Sequence, residues 1–141
     1  MNTKLNVKQW AIASFAAFVI MTLVAFILIR LGIEPWGTAA TPTTGQHDPG
    51  SQRILIYLSR IALAGLFTFI FTKGVENKPG LGEGIRYGMW MGLLLNVPPF
   101  FMNLATTDWP ASSHIIRMVV GIIEMTICGI AVAQLYKPNK A

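Results

Sequence analysis

The stretch GIIEMTICGIAVAQLY, Gly121–Tyr136, is apolar enough to lie in the hydrocarbon of a membrane, but it carries a glutamate, Glu124. A helix needs about 20 predominantly apolar residues to cross a bilayer, and this stretch is the C-terminal part of such a run. An ionised group at the bilayer centre costs at least about 2.5–3.5 kcal/mol on insertion scales. We therefore expect Glu124 to face protein or water rather than lipid.

Three further apolar runs accompany the one that contains Glu124, and 53% of the 141 residues are hydrophobic against 12% that are charged. This composition is too apolar for an ordinary soluble domain, and the length leaves room for one domain. The predicted fold is therefore all-α, a membrane-embedded bundle of four transmembrane helices in a single domain over residues 1–141. The predicted spans are Trp10–Ile29, Ile54–Thr72, Tyr87–Ala105 and Ile115–Tyr136.

The net charge of +5 comes mainly from basic residues that flank these spans. The positive-inside rule assigns the N-terminus, the middle connection and the C-terminal tail to the cytoplasm, because they hold Lys4, Lys8, Lys73, Lys78, Arg86, Lys137 and Lys140. Indole rings are common at membrane boundaries, where Trp10, Trp36 and Trp109 are predicted to lie. No basic patch with interleaved aromatic residues lies in a soluble segment, so we do not expect nucleic acid as a partner.

Small and polar residues mark the faces on which the predicted helices pack, because lipid tails are as apolar as leucine. A stripe of such residues follows the third span and consists of Gly80, Gly84, Gly88, Gly92, Asn96, Pro99 and Asn103. The glycines favour close packing between helices of the same chain, with a homodimer or a larger membrane complex as the alternatives. The pair Pro98–Pro99 predicts a kink or a break in this helix, since two backbone donors are missing there.

The fourth and second spans also present polar residues on one face. In the fourth span this face contains His114, Arg117, Gly121, Glu124, Cys128 and Ala131, and Gly121 and Gly129 are the glycines expected to pack it. The opposite face suits lipid contact and contains Ile116, Val120, Ile123, Ile127 and Ile130. In the second span the polar face contains Arg53, Tyr57, Arg60 and Ala64. We expect these faces to meet in one polar seam.

The predicted intramembrane charge site consists of Glu124, Arg60 and Arg117, with Asn96 and Asn103 as its amides. In one hypothesis Glu124 forms a structural ion pair with an arginine and so fixes the register of the helices. In the other, Glu124 is a protonatable group in a polar cavity, and the remaining residues line a path for a substrate or for protons. Burial disfavours the charged carboxylate and a nearby arginine favours it, so the sequence leaves both hypotheses open.

Sequence motifs for catalysis are missing. We find no G-x-S-x-G, no H-E-x-x-H, no paired cysteine and histidine, and no phosphate-binding loop. His47 and His114 lack the spacing of a zinc site, and GLGEG at residues 80–84 follows a membrane helix rather than a strand. We therefore expect no catalytic residue, no cofactor, no metal and no enzymatic activity. His114 is expected to lie at the membrane interface, and Cys128 to be a packing residue.

The stretches GLGEGIRYGMWMGLLLNVPPFFMN, 80–103, and GIIEMTICGIAVAQLYKP, 121–138, resemble a group of small bacterial four-helix integral membrane proteins. In that group an E-G-x-R-[FY]-G-x-x-x-G motif enters the third helix, and a G-x-x-E motif lies in the fourth. The matching residues here are Glu83, Gly84, Arg86, Tyr87, Gly88, Gly92, Gly121, Glu124, Gly129, Tyr136 and Lys137. The resemblance implies a multi-pass protein of the bacterial cytoplasmic membrane and brings no activity with it.

Two functions follow from these expectations, and the lipid bilayer is the expected partner in both. The leading one is a small transporter or permeation element that uses Glu124 as its coupling carboxylate. The alternative is an accessory or scaffold subunit that packs through its glycine stripe in a larger membrane complex.

Overall fold

The structure of the chain is a computed structural model that describes residues 6–31, 49–74, 80–108 and 110–136. It contains the helices α1 (Val7–Arg30), α2 (Pro49–Gly74), α3 (Leu81–Thr106) and α4 (Ala111–Leu135). The all-α prediction with four helices is confirmed, and each helix extends beyond its predicted span at one or both ends. Several predicted features lie outside the described residues, namely Lys4, Trp36, His47, Lys78, Trp109, Lys137, Lys140 and the side chain of Arg53.

Three of the helices are long and apolar enough to cross a membrane. They are α1, the segment Ile54–Gly74 of α2, and α4. Helix α3 is 26 residues long but is not one of these three, and it contains several glycines, two internal prolines and Asn96. Membrane embedding of α3 would therefore depend on covering these residues with neighbouring helices.

Helix α1 begins at a side-chain cap and buries one narrow face. The side chain of Asn6 accepts a hydrogen bond from the backbone N–H of Gln9 at 3.3 Å, which satisfies one of the free donors of the first turn. The buried residues recur at every fourth position and are Ala13, Ala17, Met21 and Ala25. Small side chains on this face let α1 lie close to both α2 and α4, against which it packs.

Helices α3 and α4 are antiparallel and form the most extensive contact in the molecule. A Cβ atom added to Gly88 would lie 2.5 Å from the carbonyl oxygen of Met125 and 2.6 Å from the Cα of Thr126. On the other helix, a Cβ added to Gly129 would lie 2.8 Å from the Cα of Gly88. The two main chains therefore touch, and only glycine leaves room for this contact.

The two other glycines of this stripe behave in the same way, since Gly84 and Gly92 are also buried against α4. Gly80, which the sequence places first in the stripe, precedes the helix as its N-cap residue and is exposed. The packing stripe of α3 thus begins one turn later than its spacing predicts.

Helix α3 continues through Pro98 and Pro99 to Thr106, so the chain does not break at the prolines. Side chains supply hydrogen bonds around this segment. The amide of Asn103 donates to the carbonyl oxygen of Pro99 at 2.7 Å, and the hydroxyl of Thr107 donates to the carbonyl oxygen of Asn103 at 2.7 Å. These bonds hold the last turns of the helix together beyond the missing backbone donors.

The bundle has two different ends. We call the end that contains residues 6, 74, 80 and 136 the termini end, and the end that contains residues 31, 49, 106 and 111 the opposite end. Toward the termini end, the hydroxyl of Tyr87 on α3 donates to the carbonyl oxygen of Phe67 on α2 at 2.5 Å. The Tyr87 ring also packs edge-on against Phe67 and Phe71, with centroid distances of 4.8 and 5.1 Å, and Tyr136 packs edge-on against Phe71. This aromatic cluster fills the space between the helices there.

Candidate functional site

Toward the opposite end a cavity of about 340 Å³, partly open to the exterior, lies between the helices. Most of its wall is apolar and consists of Met21, Ala25, Leu28, Ile56, Leu63, Leu95, Val120, Gly121 and Met125. Its polar groups are Ser59, Arg60, Asn96, Arg117 and Glu124. Ligand sites in proteins have this composition, with few polar groups in a largely apolar pocket of roughly 300–1,000 Å³.

The position of the cavity follows from the packing of α2. This helix packs extensively against α1 but not against α3 or α4, whereas α1 also packs against α4. The hydrogen bond and ring contacts of Tyr87 bring α2 to α3 near the termini end. Among the described residues, no such contact joins α2 to α3 at the level of Arg60. Because α2 does not pack extensively against α4 either, the space between α2 and α4 is open there. Ser59 is exposed and lines the cavity, and it therefore lies at the rim.

Arg60 reaches from α2 across the cavity wall to α1. Its guanidinium donates a hydrogen bond to the main-chain carbonyl oxygen of Met21 at 2.9 Å. The side chain is half-buried and faces the cavity. Its charge is therefore turned toward the interior of the bundle and not toward the apolar outer surface, as the cost of exposing a charge to lipid requires.

Glu124 faces the same cavity from α4. Its half-buried carboxylate interacts electrostatically with Arg60. In the described ranges the one salt bridge is between Glu83 and Arg86 at 3.0 Å, so Glu124 and Arg60 do not form a direct ion pair. The two groups are separate charges on one cavity wall, with space between them that water or a solute could enter.

Arg117 and Asn96 complete the polar part of the wall. Arg117 is buried, lies two helical turns before Glu124 on α4, and takes part in a polar or electrostatic interaction of its own. The amide of Asn96 donates to the carbonyl oxygen of Gly92 at 2.8 Å, and its oxygen lies against Gly121. A Cβ atom at Gly121 would overlap this amide, so glycine is what lets Asn96 occupy the wall.

Asn103, which the sequence assigns to the same site, does not line the cavity. It belongs to a second polar cluster with Thr107 and His114 at the opposite end of the α3–α4 pair. The Nε2 atom of His114 lies 3.0 Å from the hydroxyl oxygen of Thr107. That hydroxyl also donates to the carbonyl oxygen of Asn103, so its oxygen is available to accept a hydrogen bond from Nε2–H, and this arrangement favours the tautomer with its proton on Nε2.

His114, which is expected at the membrane interface, lies in the first turn of α4 and is 2% exposed, so it is buried against protein; its depth in a membrane stays a prediction. Its Nδ1 atom is buried without a hydrogen-bond partner. The ring instead fills the space where α4 begins beside α3. Helical spacing predicts His114 on the inner face of α4, and the structure buries it there beside Thr107.

Three other residues lie where the sequence did not predict them. Tyr57 is 51% exposed and so does not belong to the inner face of α2. Val120 lines the cavity, and Ile130 contacts α3 at Gly84, so neither belongs to the outward face of α4. Trp10, which is predicted at a membrane boundary, lies near the start of α1, packs against the core and donates from its indole N–H to the carbonyl oxygen of Gly65 at 3.3 Å.

The contribution of α1 to the cavity could not be read from polarity. Met21, Ala25 and Leu28 form one side of the wall, and all three are apolar residues within an apolar run. The four-residue spacing of Ala13, Ala17, Met21 and Ala25 is the signal that would have found this face.

Among the described residues, no group of three or more histidine, cysteine, aspartate or glutamate side chains comes together to hold a metal ion. Cys128 is fully buried, with its sulfur 3.8 Å from the carbonyl oxygen of Ala17, and it packs α4 against α1. In comparisons with known proteins, no family model, no curated protein and no solved structure matches the chain. The cavity is therefore interpreted from its own chemistry.

Proposed function

We propose that this chain is a multi-pass protein of the bacterial cytoplasmic membrane that acts as a small transporter or permeation element. The observation that carries the proposal is the placement of Arg60 and Glu124. They lie on different helices, face one partly open cavity, and do not neutralise each other by direct contact. A scaffold has no need for two separated charges in a cavity, whereas a site that binds and releases a solute does.

The outer surface of the helices supports a membrane location. Large apolar side chains are exposed on all four helices, among them Phe26, Leu55, Phe101 and Ile123. Soluble monomers rarely expose apolar patches larger than a few hundred Å², so a lipid environment suits this surface. Lys8, Lys73 and Arg86 lie toward the termini end, which the positive-inside rule assigns to the cytoplasm. The cavity then belongs to the outer half of the membrane.

The aromatic cluster around Tyr87 acts as the barrier on the cytoplasmic side. Phe67 and Phe71 are fully or almost fully buried there, and Tyr136 covers the end of α4. Release of a solute to the cytoplasm would need α2 to move away from Tyr87. Helix α2 suits this movement because it packs extensively against α1 alone.

Proton flux tests the role of Glu124. Proteoliposomes loaded with the dye pyranine would receive an acid pulse, with valinomycin and K⁺ to remove the membrane potential. We expect the wild type to admit protons, Glu124→Gln to abolish this flux, and Glu83→Gln to retain it. Glu83 is a matched control because it lies near the termini end, outside the cavity. Equal flux in the wild type and Glu124→Gln, with both proteins helical by circular dichroism, would reject the proposal.

The scaffold alternative would need a surface other than the glycine stripe. Gly84, Gly88 and Gly92 are covered by α4 of the same chain and are not open to a partner. Native gels of the protein in mild detergent at endogenous expression separate the two functions. A monomer or dimer agrees with the transporter, and a stable large complex agrees with the scaffold.

A further inference from the structure

We propose that the cavity binds a small apolar zwitterion, that is, a molecule that carries an ammonium and a carboxylate or phosphate on an apolar body. Arg60 would bind the anionic group, Glu124 would bind the ammonium, and the apolar wall would bind the body. The inference deepens the proposed function and rests on it for the use of the site, but its binding step is tested separately.

The polar side chains of the cavity other than Arg60 and Glu124 are already engaged. Ser59 and Asn96 each donate a hydrogen bond of 2.8 Å to a carbonyl oxygen of their own helix. Arg117 is buried and takes part in an interaction of its own, so the proposed site does not include its charge. Arg60 and Glu124 are therefore the two groups with which we expect a solute to pair.

The charges of this pair select a zwitterion. Arg60 carries one positive charge and Glu124, when ionised, carries one negative charge, so together they have no net charge. A solute with an anionic group alone would bring a second negative charge beside Glu124, and a solute with a cationic group alone would bring a second positive charge beside Arg60. A neutral solute would displace water from both charges without replacing it. A zwitterion supplies an opposite charge to each.

The positions of the two charges allow one solute to reach both. Arg60 lies on α2 and Glu124 on α4, and they face the same cavity. Their charged atoms are farther apart than the roughly 4 Å of an ion pair, yet near enough to interact electrostatically. An ammonium and a carboxylate on one solute can therefore enter between them, each beside the opposite charge.

Both side chains have hydrogen-bonding capacity for such a solute. A guanidinium has five N–H donors, and one nitrogen of Arg60 is engaged with the carbonyl of Met21. The remaining donors can form the paired bonds with which arginine recognises carboxylate and phosphate groups. No described residue donates a hydrogen bond to the carboxylate of Glu124, so its oxygens can accept from an ammonium. The bond to Met21 holds Arg60 in place before binding, which reduces the entropy lost.

The rest of the wall suits an apolar body. Leu28, Ile56, Leu63, Val120 and Met125 line it, and the volume of about 340 Å³ admits a small molecule. The same chemistry is found in a water-soluble apolar amino acid and in the headgroup region of a lipid that carries a phosphate and a primary ammonium. A lipid could enter sideways, because α2 is not packed extensively against α3 or α4.

Binding is measured by isothermal titration of the full-length chain in dodecyl maltoside at neutral pH, with norleucine as the zwitterion. Hexanoate is norleucine without its ammonium, and pentylammonium is norleucine without its carboxylate, so the two are matched controls. We expect norleucine to bind at least tenfold more tightly than either and to raise the midpoint of thermal unfolding. No binding of norleucine, or binding of either control as tight as that of norleucine, would overturn the inference.

Removal of one charge should reverse the preference. Glu124→Gln leaves Arg60 without its counter-charge, so norleucine should bind at least tenfold more weakly and hexanoate more tightly than to the wild type. Arg60→Gln should weaken norleucine binding to the same degree and strengthen the binding of pentylammonium. Should one of these variants fail to fold, the other carries the test. Wild-type affinities for all three ligands in a folded variant would overturn the inference.

The matched control variants are Glu83→Gln and Arg86→Gln. They make the same two substitutions in an ion pair that lies outside the cavity. Both should bind norleucine as the wild type does. A loss of affinity as large as that of the cavity variants would show that norleucine does not bind between Arg60 and Glu124.

A second arm identifies the source of the zwitterion. The protein is placed in nanodiscs of phosphatidylglycerol with or without phosphatidylethanolamine, and bound lipid is read by native mass spectrometry. Phosphatidylethanolamine retained by the wild type, lost in Glu124→Gln and displaced by norleucine supports a lipid. Norleucine binding that phosphatidylethanolamine does not affect supports a soluble zwitterion.

The two proposals can fail separately. Proton flux that depends on Glu124, without norleucine binding, rejects the zwitterion and leaves the transporter. Norleucine binding that depends on Arg60 and Glu124, without any flux, rejects the transporter and leaves the zwitterion site.

Discussion

The guanidinium of Arg60 and the main-chain carbonyl of Met21 join α2 to α1 through a hydrogen bond of 2.9 Å at the wall of the cavity. This bond fixes one charge of the cavity without using Glu124 to do so. The carboxylate of Glu124 therefore faces the cavity without a direct bond to Arg60. The two side chains interact electrostatically, without contact.

Arg60→Gln should lower the free energy of unfolding by about 1.5–3 kcal/mol, the range for hydrogen bonds to charged groups. It also removes the cation near Glu124, so Glu124→Gln should be better tolerated in the Arg60→Gln background than in the wild type. The coupling energy in this double-mutant cycle should lie between roughly 0.5 and 3 kcal/mol. Unfolding by SDS in mixed micelles measures all four proteins. Strictly additive losses would show that the two charges do not interact.

Gly88→Ala should separate α3 from α4. The added Cβ would lie 2.5 Å from the carbonyl oxygen of Met125, and a main-chain atom cannot move aside as a side chain can. Overpacking of this kind lowers the free energy of unfolding by about 1–3 kcal/mol. Gly82→Ala on the same helix is the control, since nothing lies within 4 Å of its Cβ position. It should be neutral or stabilising by up to about 1 kcal/mol. Equal effects of the two substitutions in SDS unfolding would contradict the close contact of the helices.

Gly121→Ala should be rescued by a change on the neighbouring helix. Its Cβ would meet the amide of Asn96 rather than a main-chain atom, so the clash involves a side chain that can be shortened. Gly121→Ala alone should displace Asn96 from the cavity wall and destabilise the protein, and adding Asn96→Ala should restore most of the loss. Thermal unfolding of the two single variants and the double variant tests this. A double variant as unstable as the sum of its parts would disagree with the geometry.

Tyr87→Phe removes the hydroxyl that donates to Phe67 but keeps the ring between Phe67 and Phe71. The free energy of unfolding should fall by about 0.5–1.5 kcal/mol, the usual net contribution of one hydrogen bond to stability. Because this bond ties α2 to α3, amide hydrogen exchange should also rise in the second half of α2. Tyr57→Phe is the control, since Tyr57 is exposed at 51%. Unchanged exchange in Tyr87→Phe would show that the bond does not hold α2.

The hydrogen bonds of His114 predict its tautomer. Nitrogen NMR of histidine-labelled protein should show a protonated Nε2 and an unprotonated Nδ1, because Nε2 donates to Thr107. His114→Gln can keep a donor near the position of Nε2, whereas His114→Asn cannot reach it. The glutamine variant should therefore be the more stable of the two by thermal unfolding. A protonated Nδ1 in the neutral ring would contradict the assigned network.

Residues within a single helix determined most of the fold. The length and apolar character of each run predict four helices, and the fourfold glycine spacing predicts the close face of α3. Both are local properties, because side chains three and four positions apart lie on the same face whatever the helix packs against. The same local periodicity correctly placed Arg117, Glu124 and Asn96 toward the interior of the bundle.

Only the tertiary structure decided which of these interior groups meet. Asn96 and Asn103 share a stripe on α3, yet one lines the cavity and the other bonds beside His114, because they lie at different depths against α4. Successive residues are about 100° apart around the axis of a helix. A small change in the rotation or tilt of the helix therefore moves a side chain from the cavity to the core or to the surface. The placement of Tyr57, of Val120 and of the apolar residues of α1 that line the cavity depends on this rotation and tilt. The sequence of one helix does not specify its distance from a neighbouring helix.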